Sequence, residues 1–297
     1  MELRVLEYFL AVAREQNITA AAESLHLSQP ALSRQLREME EKLGKQLLIR
    51  GVKGSRKVIL TEEGMILRKR AEEILSLVRR TENEITQSDE TIAGNVFIGT
   101  GETETVRLFA KVAKKLQQKY PDIRYNISSG NAEHVLEYLD KGLIDFGLLF
   151  TEIDSQKYEA IPVPIKDTWG VLMRKDSPLA EKEVIHPEDL WDKPLIVSHQ
   201  KGDDRYLNQW LQREESELHI VATYNLLFNA SLLVDEGLGY ALCYDKLINT
   251  KGSNLCFRPF SPGLEARGFI VWKKYQVFSK AANIFLQCLQ ELLETEN

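Results

Sequence analysis

The stretch Asn17 to Arg50, NITAAAESLHLSQPALSRQLREMEEKLGKQLLIR, decides how the front of this chain folds. Thr19 is placed to cap a short Ala-rich helix through Ala20, Ala21, Ala22 and Leu25; His26 and Leu27 break it, and Ser28 offers a second N-cap. Pro30 falls in the first turn of the next helix, where a missing N–H costs nothing, and Leu32, Leu36, Met39 and Leu43 recur at spacings of four and three. That stripe faces a core. The other face carries Gln29, Ser33, Arg34 and Arg37, side chains able to hydrogen-bond base edges and phosphates in a major groove. The bland alternative is a helical hairpin with a solvated polar face.

The flanks favour the nucleic-acid reading. Leu3, Leu6, Phe9, Leu10 and Ala13 make an amphipathic helix that braces the pair. Behind it, Leu47-Leu48-Ile49 and Val58-Ile59-Leu60 enclose a Gly-containing basic tip, which reads as a β-hairpin wing with Arg50, Lys53, Arg56 and Lys57 for backbone or minor-groove contact.

The run FLAVAREQNITAAAESLHLSQPALSRQLREMEEKLGKQLLIR, followed by LTEEG at Leu60 to Gly64, resembles the LysR-type bacterial transcriptional regulators. The likeness extends more loosely along the whole chain. It implies a winged helix-turn-helix domain over 1–60, a linker and dimerisation helix with a hinge over 61–91, and an effector domain over 92–297. That last domain would be an α/β, type 2 periplasmic-binding-protein-like pair of lobes, lobe I at 92–161 and 267–297 and lobe II at 162–266. The resemblance also implies a homodimer or homotetramer acting with RNA polymerase on double-stranded DNA under a small-molecule effector, without a cofactor. In that frame Ser28, Gln29, Pro30, Ser33 and Arg34 meet bases, and Arg37, Arg50, Lys53 and Arg56 meet phosphates or the minor groove.

Charge agrees in distribution, not in sum. The chain of 297 residues has a net charge of -6, yet residues 1–60 hold ten basic side chains against seven acidic ones, a surplus of 3 that leaves -9 for the remainder. A basic head on an acidic body holds DNA at one end and repels it from the other. Acidic and basic residues interrupt Met1 to Arg14 before any apolar run forms, so no secretory signal is expected; nor is a membrane span, and the expected location is cytoplasmic. Cys243, Cys256 and Cys288 have no CxxC spacing and no paired histidines, which argues against structural zinc. Some members of the resembled family sense oxidants through cysteine pairs, so a Cys243–Cys256 switch is the alternative to buried thiols.

Beyond the wing, Leu67, Ala71, Ile74, Val78, Thr81 and Ile85 form a heptad seam that predicts pairing with the same helix of another subunit, hence a roughly palindromic site. The alternative is docking on its own chain. TQSDETIAG at Thr86 to Gly94 reads as a hinge. Short apolar runs then alternate with amphipathic helices to the end of the chain, a pattern that predicts a parallel sheet covered on both faces. In such sheets a ligand sits at the carboxyl ends of the strands. The loops there are Thr100-Gly101-Glu102-Thr103, Ser128-Ser129-Gly130-Asn131, Ser198-His199-Gln200 and Thr223-Tyr224-Asn225, with Phe150 beyond another strand. Each mixes hydroxyl or small residues with helix N–H groups that cradle a small polar ligand, though each residue could equally be a local cap. Glu102 and the lack of arginine near Phe150 point away from carboxylate effectors, toward neutral, amine-bearing or aromatic ones.

An enzyme would need a catalytic constellation. His26, His134, His186, His199 and His219 are scattered, with no HExxH and no GxSxG anywhere. A nonspecific architectural DNA binder remains as the second rival, but it has no use for an acidic two-lobed body.

Overall fold

The computed structural model describes residues 1–51, 57–86, 92–198 and 204–296. The chain divides into two compact units, Met1–Thr86 and Gln87–Asn297.

In the first unit, α1 (Leu3–Glu15) packs against α2 (Ile18–Ser24) and α3 (Gln29–Leu43). Asn17, not Thr19, is the N-cap of α2: its side chain accepts the Thr19 N–H at 2.9 Å and the Ala20 N–H at 3.3 Å. A residue two places earlier wins because its side-chain oxygen reaches two orphan donors of the first turn. Ser28 caps α3 and Gly44, at φ 63°, ends it in the left-handed region that glycine adopts without strain. Strands β1 (Leu48–Arg50) and β2 (Val58–Leu60) pair antiparallel as the neck of the wing, and the tip falls outside the described residues. Phe9, Ala21, Leu32, Leu36 and Leu48 fill the core.

Thr61 opens α4 (Glu62–Thr86), its hydroxyl accepting the Gly64 N–H at 3.0 Å and donating to the Gln46 carbonyl at 2.7 Å. The first half of the expected heptad seam does not stand free. Leu67, Ala71 and Ile74 pack with Leu75 onto the core of their own unit, because the hairpin neck delivers α4 directly against α1. Only Thr81 and Ile85 at the far end are exposed, and Met65 and Ile66 are exposed on another side of the helix.

The second unit opens with β3 (Gly94–Thr100), α5 (Val106–Lys119), β4 (Ile123–Ser129), α6 (Ala132–Asp140) and β5 (Phe146–Leu149). Then β6 (Tyr158–Arg174) runs for 17 residues, followed by β7 (Leu195–Ser198), α7 (Asp204–Leu211), β8 (Ile220–Tyr224), α8 (Leu227–Asp235), β9 (Tyr240–Tyr244), β10 (Leu255–Pro259), β11 (Glu265–Lys273) and α9 (Lys280–Glu296). The strands are ordered β4-β3-β5-β11-β6-β9-β7-β8, with β10 on β6.

The sheet is mixed rather than parallel. The β-α-β units β3–β4, β3–β5, β7–β8 and β7–β9 pair parallel as expected, but β6, β10 and β11 enter antiparallel. These three strands are joined to their neighbours by loops, so no crossover helix forces a parallel partner.

Each lobe is covered on two faces. In the first, Ile98, Phe109, Phe146 and Phe285 pack beneath α5 and α9, and Val135, Leu139 and Val271 beneath α6. In the second, Val171, Leu195, Trp210 and Phe260 fill one face and Leu172, Ile196, Ala230 and Val234 the other. Val163 belongs to a core of the first lobe and Trp169 to a core of the second, so β6 carries the chain between lobes a few residues beyond position 161. Among the described residues, no helix is long and apolar enough to cross a membrane.

Candidate nucleic-acid interface and effector cleft

The recognition surface follows from the helical period of α3. With Leu32, Leu36 and Met39 buried, Ser28, Gln29, Pro30, Arg34 and Arg37 are left exposed on the other side. Arg34 is loosely held, its Nε 3.7 Å from the Glu38 carboxylate with 73% of its side chain exposed. Such a pair is worth little in water, so the guanidinium is available to an acceptor. Two expected contacts are corrected. Ser33 is only 5% exposed and its hydroxyl accepts from Gln29 Nε2 at 2.9 Å; it lies one turn before Leu36, too close to the buried stripe for so short a side chain to reach out. Arg50 turns inward to Glu40 at 2.8 Å, while the other Glu40 oxygen accepts the Leu47 and Leu48 N–H groups at 2.8 and 3.0 Å. Arg50 therefore ties the wing to α3 instead of presenting its charge. Lys53 and Arg56 lie outside the described residues.

In the second unit the strand ends meet as topology requires, and Glu102, Ser198 and Asn225 line one small cavity of about 40 Å³. Glu102 accepts a hydrogen bond from the Leu227 N–H, at the start of α8 in the opposite lobe. Three of the expected residues are used otherwise. Thr100 is 2% exposed and donates to the Gly101 carbonyl at 2.8 Å. Thr103 donates to Asp167, and Asn131 caps α6 by accepting the His134 N–H at 2.9 Å. Gly101 and Ser128 are half-buried and Ser129 is exposed. His199 and Gln200 lie outside the described residues.

Phe150 lines a separate, larger cavity of about 1080 Å³, together with Trp169, Tyr206, Phe269 and Arg267. An arginine thus does come near Phe150, from β11 far along the sequence. Nothing in the sequence of that strand announces it, since a charge at an exposed strand position is ordinary. Trp169 lines both cavities.

Asp167 is the group that sequence reading passed over. It lies on β6 where the strand leaves one lobe for the other, is 3% exposed, and takes Thr103 Oγ1, the Glu104 N–H at 3.2 Å and Thr105 Oγ1 at 3.2 Å. Burial pushes its carboxyl up, and the Thr103 and Thr105 hydroxyls and the Glu104 N–H pull it back without cancelling the shift. An acid just ahead of the apolar run Trp169 to Met173, in KDTWG, was the available sign.

Cys243 and Cys256 are not placed to form a disulfide in this structure. Cys243 and Cys256 pair with β6 from opposite edges, at Gly170 and Met173, and pack into different cores. Two strand spacings are about 10 Å, beyond the reach of a disulfide. Burial also pushes all three thiols up, away from the reactive thiolate. Among the described residues no cluster of His, Cys, Asp or Glu could hold a metal ion.

Comparison with known proteins matches this architecture. Residues 3–65 match the family model "Bacterial regulatory helix-turn-helix protein, lysR family" and residues 89–294 match "LysR substrate binding domain". The Hca operon transcriptional activator HcaR of Escherichia coli (strain K12) is 30% identical over 307 residues, covering 99% of this chain and 98% of that one. The DNA-binding transcriptional dual regulator OxyR of the same strain is 33% identical over 198 residues, covering 66% and 63%. Full-length CbnR, solved with its target DNA, has the same fold at a TM-score of 0.77 and 19% identity, covering 98% of this chain and 99% of that one. With a helix-turn-helix head and a substrate-binding body that both match, this chain belongs to the LysR family of ligand-responsive, DNA-binding transcriptional regulators.

Proposed function

We propose that this regulator reads a two-fold-symmetric duplex site through α3 of two subunits and responds to a small molecule held between the lobes of its second unit. The observation that carries the DNA reading is the exposed row Ser28, Gln29, Pro30, Arg34 and Arg37, which sits opposite a fully buried Leu32-Leu36-Met39 stripe. Gln29 and Arg34 suit base edges, and Arg37 suits phosphate. A two-fold site follows if two copies assemble. Support for assembly comes from apolar side chains left in water: Ile85 is 78% exposed at the end of α4, and Phe228 and Leu232 on α8 are 63% and 52% exposed. These surfaces suit a homodimer, with a homotetramer using both. Action on RNA polymerase in the cytoplasm, without catalysis, is the reading that the family membership supports.

The effector reading rests on the joining of the two lobes through Glu102 and the Leu227 N–H, since a ligand there would have different contacts in open and closed arrangements. Footprinting of the full chain on genomic fragments, with excess random duplex as competitor, tests the proposal. Protection of two half-sites about one helical turn apart is the expected result. Equal affinity for all sequences would leave an architectural DNA binder instead.

A further inference from the structure

The small cavity at the lobe junction has an unusual lining. Three aromatic side chains, Trp169, Tyr224 and Tyr244, and the carboxylate of Glu102 surround it, together with Ser198, Asn225 and apolar residues, and no described lining residue is cationic. The Trp169 and Tyr244 rings stand 4.5 Å apart at 57°, which presents a ring edge and a ring face rather than a closed stack. Tyr224 donates its hydroxyl to the Leu242 carbonyl at 2.7 Å, and burial holds that phenol well above its usual range, so it stays neutral. Glu102 is half-buried, and among the described residues its one partner is the Leu227 N–H, bonded through Oε2. Among the described residues none bonds the second oxygen, Oε1.

These features select a sign of charge. The N-terminus of α8, which would attract a ligand carboxylate, is already occupied by an internal one. A second anion beside Glu102 would meet like charge in a half-buried site. A cation instead gains a carboxylate oxygen that no described residue bonds, and the faces of the rings. The space is small, about 40 Å³, and so takes the head of a ligand, an ammonium or methylammonium group, rather than a whole molecule.

We infer that Glu102, with Trp169, Tyr224 and Tyr244, forms the recess for the ammonium group of a primary-amine ligand and excludes carboxylates from the same place. This rests on the proposal that the junction between the lobes is the effector site, and it adds the chemical class. Glu102 in this reading is a specificity determinant that contacts ligand, and its bond to α8 couples ligand charge to the closure of the lobes.

The test is thermal denaturation and calorimetric titration of the full chain with methylamine, propylamine and phenethylamine at matched ionic strength. Acetate, butyrate and 3-phenylpropionate serve as carboxylates of similar shape. The amines should raise the midpoint and the carboxylates should not. Glu102→Gln keeps an acceptor for the Leu227 N–H and removes the charge; it should keep the ligand-free midpoint and weaken amine binding by about tenfold or more. Equal binding of carboxylates, an amine response unchanged in Glu102→Gln, or no amine response at all would overturn the inference. Footprinting of wild type run alongside separates the two claims: a specific operator that responds to non-amine compounds sinks the amine recess and leaves the regulator standing. Loss of any preferred duplex sinks the regulator itself.

Discussion

Single residues decide what the first unit does and how it stays folded. Arg34→Ala removes an exposed guanidinium that no core contact uses, so it should reduce discrimination between operator and random duplex by about 1–3 kcal/mol without loss of stability. Competition binding on both duplexes checks this, and equal loss on the two would assign Arg34 to phosphate instead. Arg50→Ala should act the other way. Its partner Glu40 is 11% exposed, so losing the guanidinium should cost about 1–3 kcal/mol in urea denaturation before any effect on DNA is counted. Unchanged stability would return Arg50 to the set of DNA contacts. Gly64 makes a third case. A Cβ there would collide with the Leu47 carbonyl oxygen, a backbone atom that cannot swing away. The helix gain of up to about 1 kcal/mol from Gly→Ala is therefore outweighed, and Gly64→Ala should destabilise the chain by about 1–3 kcal/mol. The LTEEG run announced that glycine, whereas nothing in the sequence said that Ser33 and Arg50 would turn inward. Periodicity fixes the direction of a side chain around a helix to within a turn, but not the partner that captures it.

At the level of elements, the strands that join the lobes were the hardest to see. YEAIPVPIK carries Pro162 and Pro164 and so reads as loop, yet it is the first half of β6. Proline is tolerated there because β6 pairs over that half with β11 alone and leaves its other edge without a partner strand. The β-α-β units, by contrast, were plain from their alternation of apolar runs, since both faces of those strands are covered and both cores demand apolar residues. The seam on α4 was legible as a pattern but not as a partner: three of its positions serve the chain's own core, and a heptad looks the same whichever surface it meets. Asp167 on β6 carries a prediction in pH. Its folded-state value lies above the ordinary 3.8, so between those two values the folded chain binds the proton that the unfolded chain has lost. Its contribution to stability should therefore be full below the unfolded value and fall as pH rises through that window. Carboxyl NMR of the labelled full chain should place the Asp167 midpoint above 3.8, and Thr103→Val should move it higher by removing a donor. A midpoint at or below 3.8 would refute the assignment.

For the molecule as a whole, assembly is what turns one recognition helix into a reader of an operator. Ile85→Asp places a charge on a side chain that is 78% exposed and should be harmless to the isolated chain. If that end of α4 meets another copy, light scattering should show self-association weakened by about 1–3 kcal/mol, with operator affinity falling in parallel. An unchanged mass would move the interface elsewhere. A last consequence lies in the way the two lobes are sewn together. The long strands β6 and β11 run hydrogen-bonded from Tyr158–Lys273 to Thr168–Glu265, broken only by a register shift between Arg267 and Phe269. A ribbon of two strands resists being opened like a jaw but yields readily to torsion, above all at an irregularity. Whatever fills the junction should then be reported to the rest of the protein as a small screw rotation of one lobe on the other, with Asp167 near its axis.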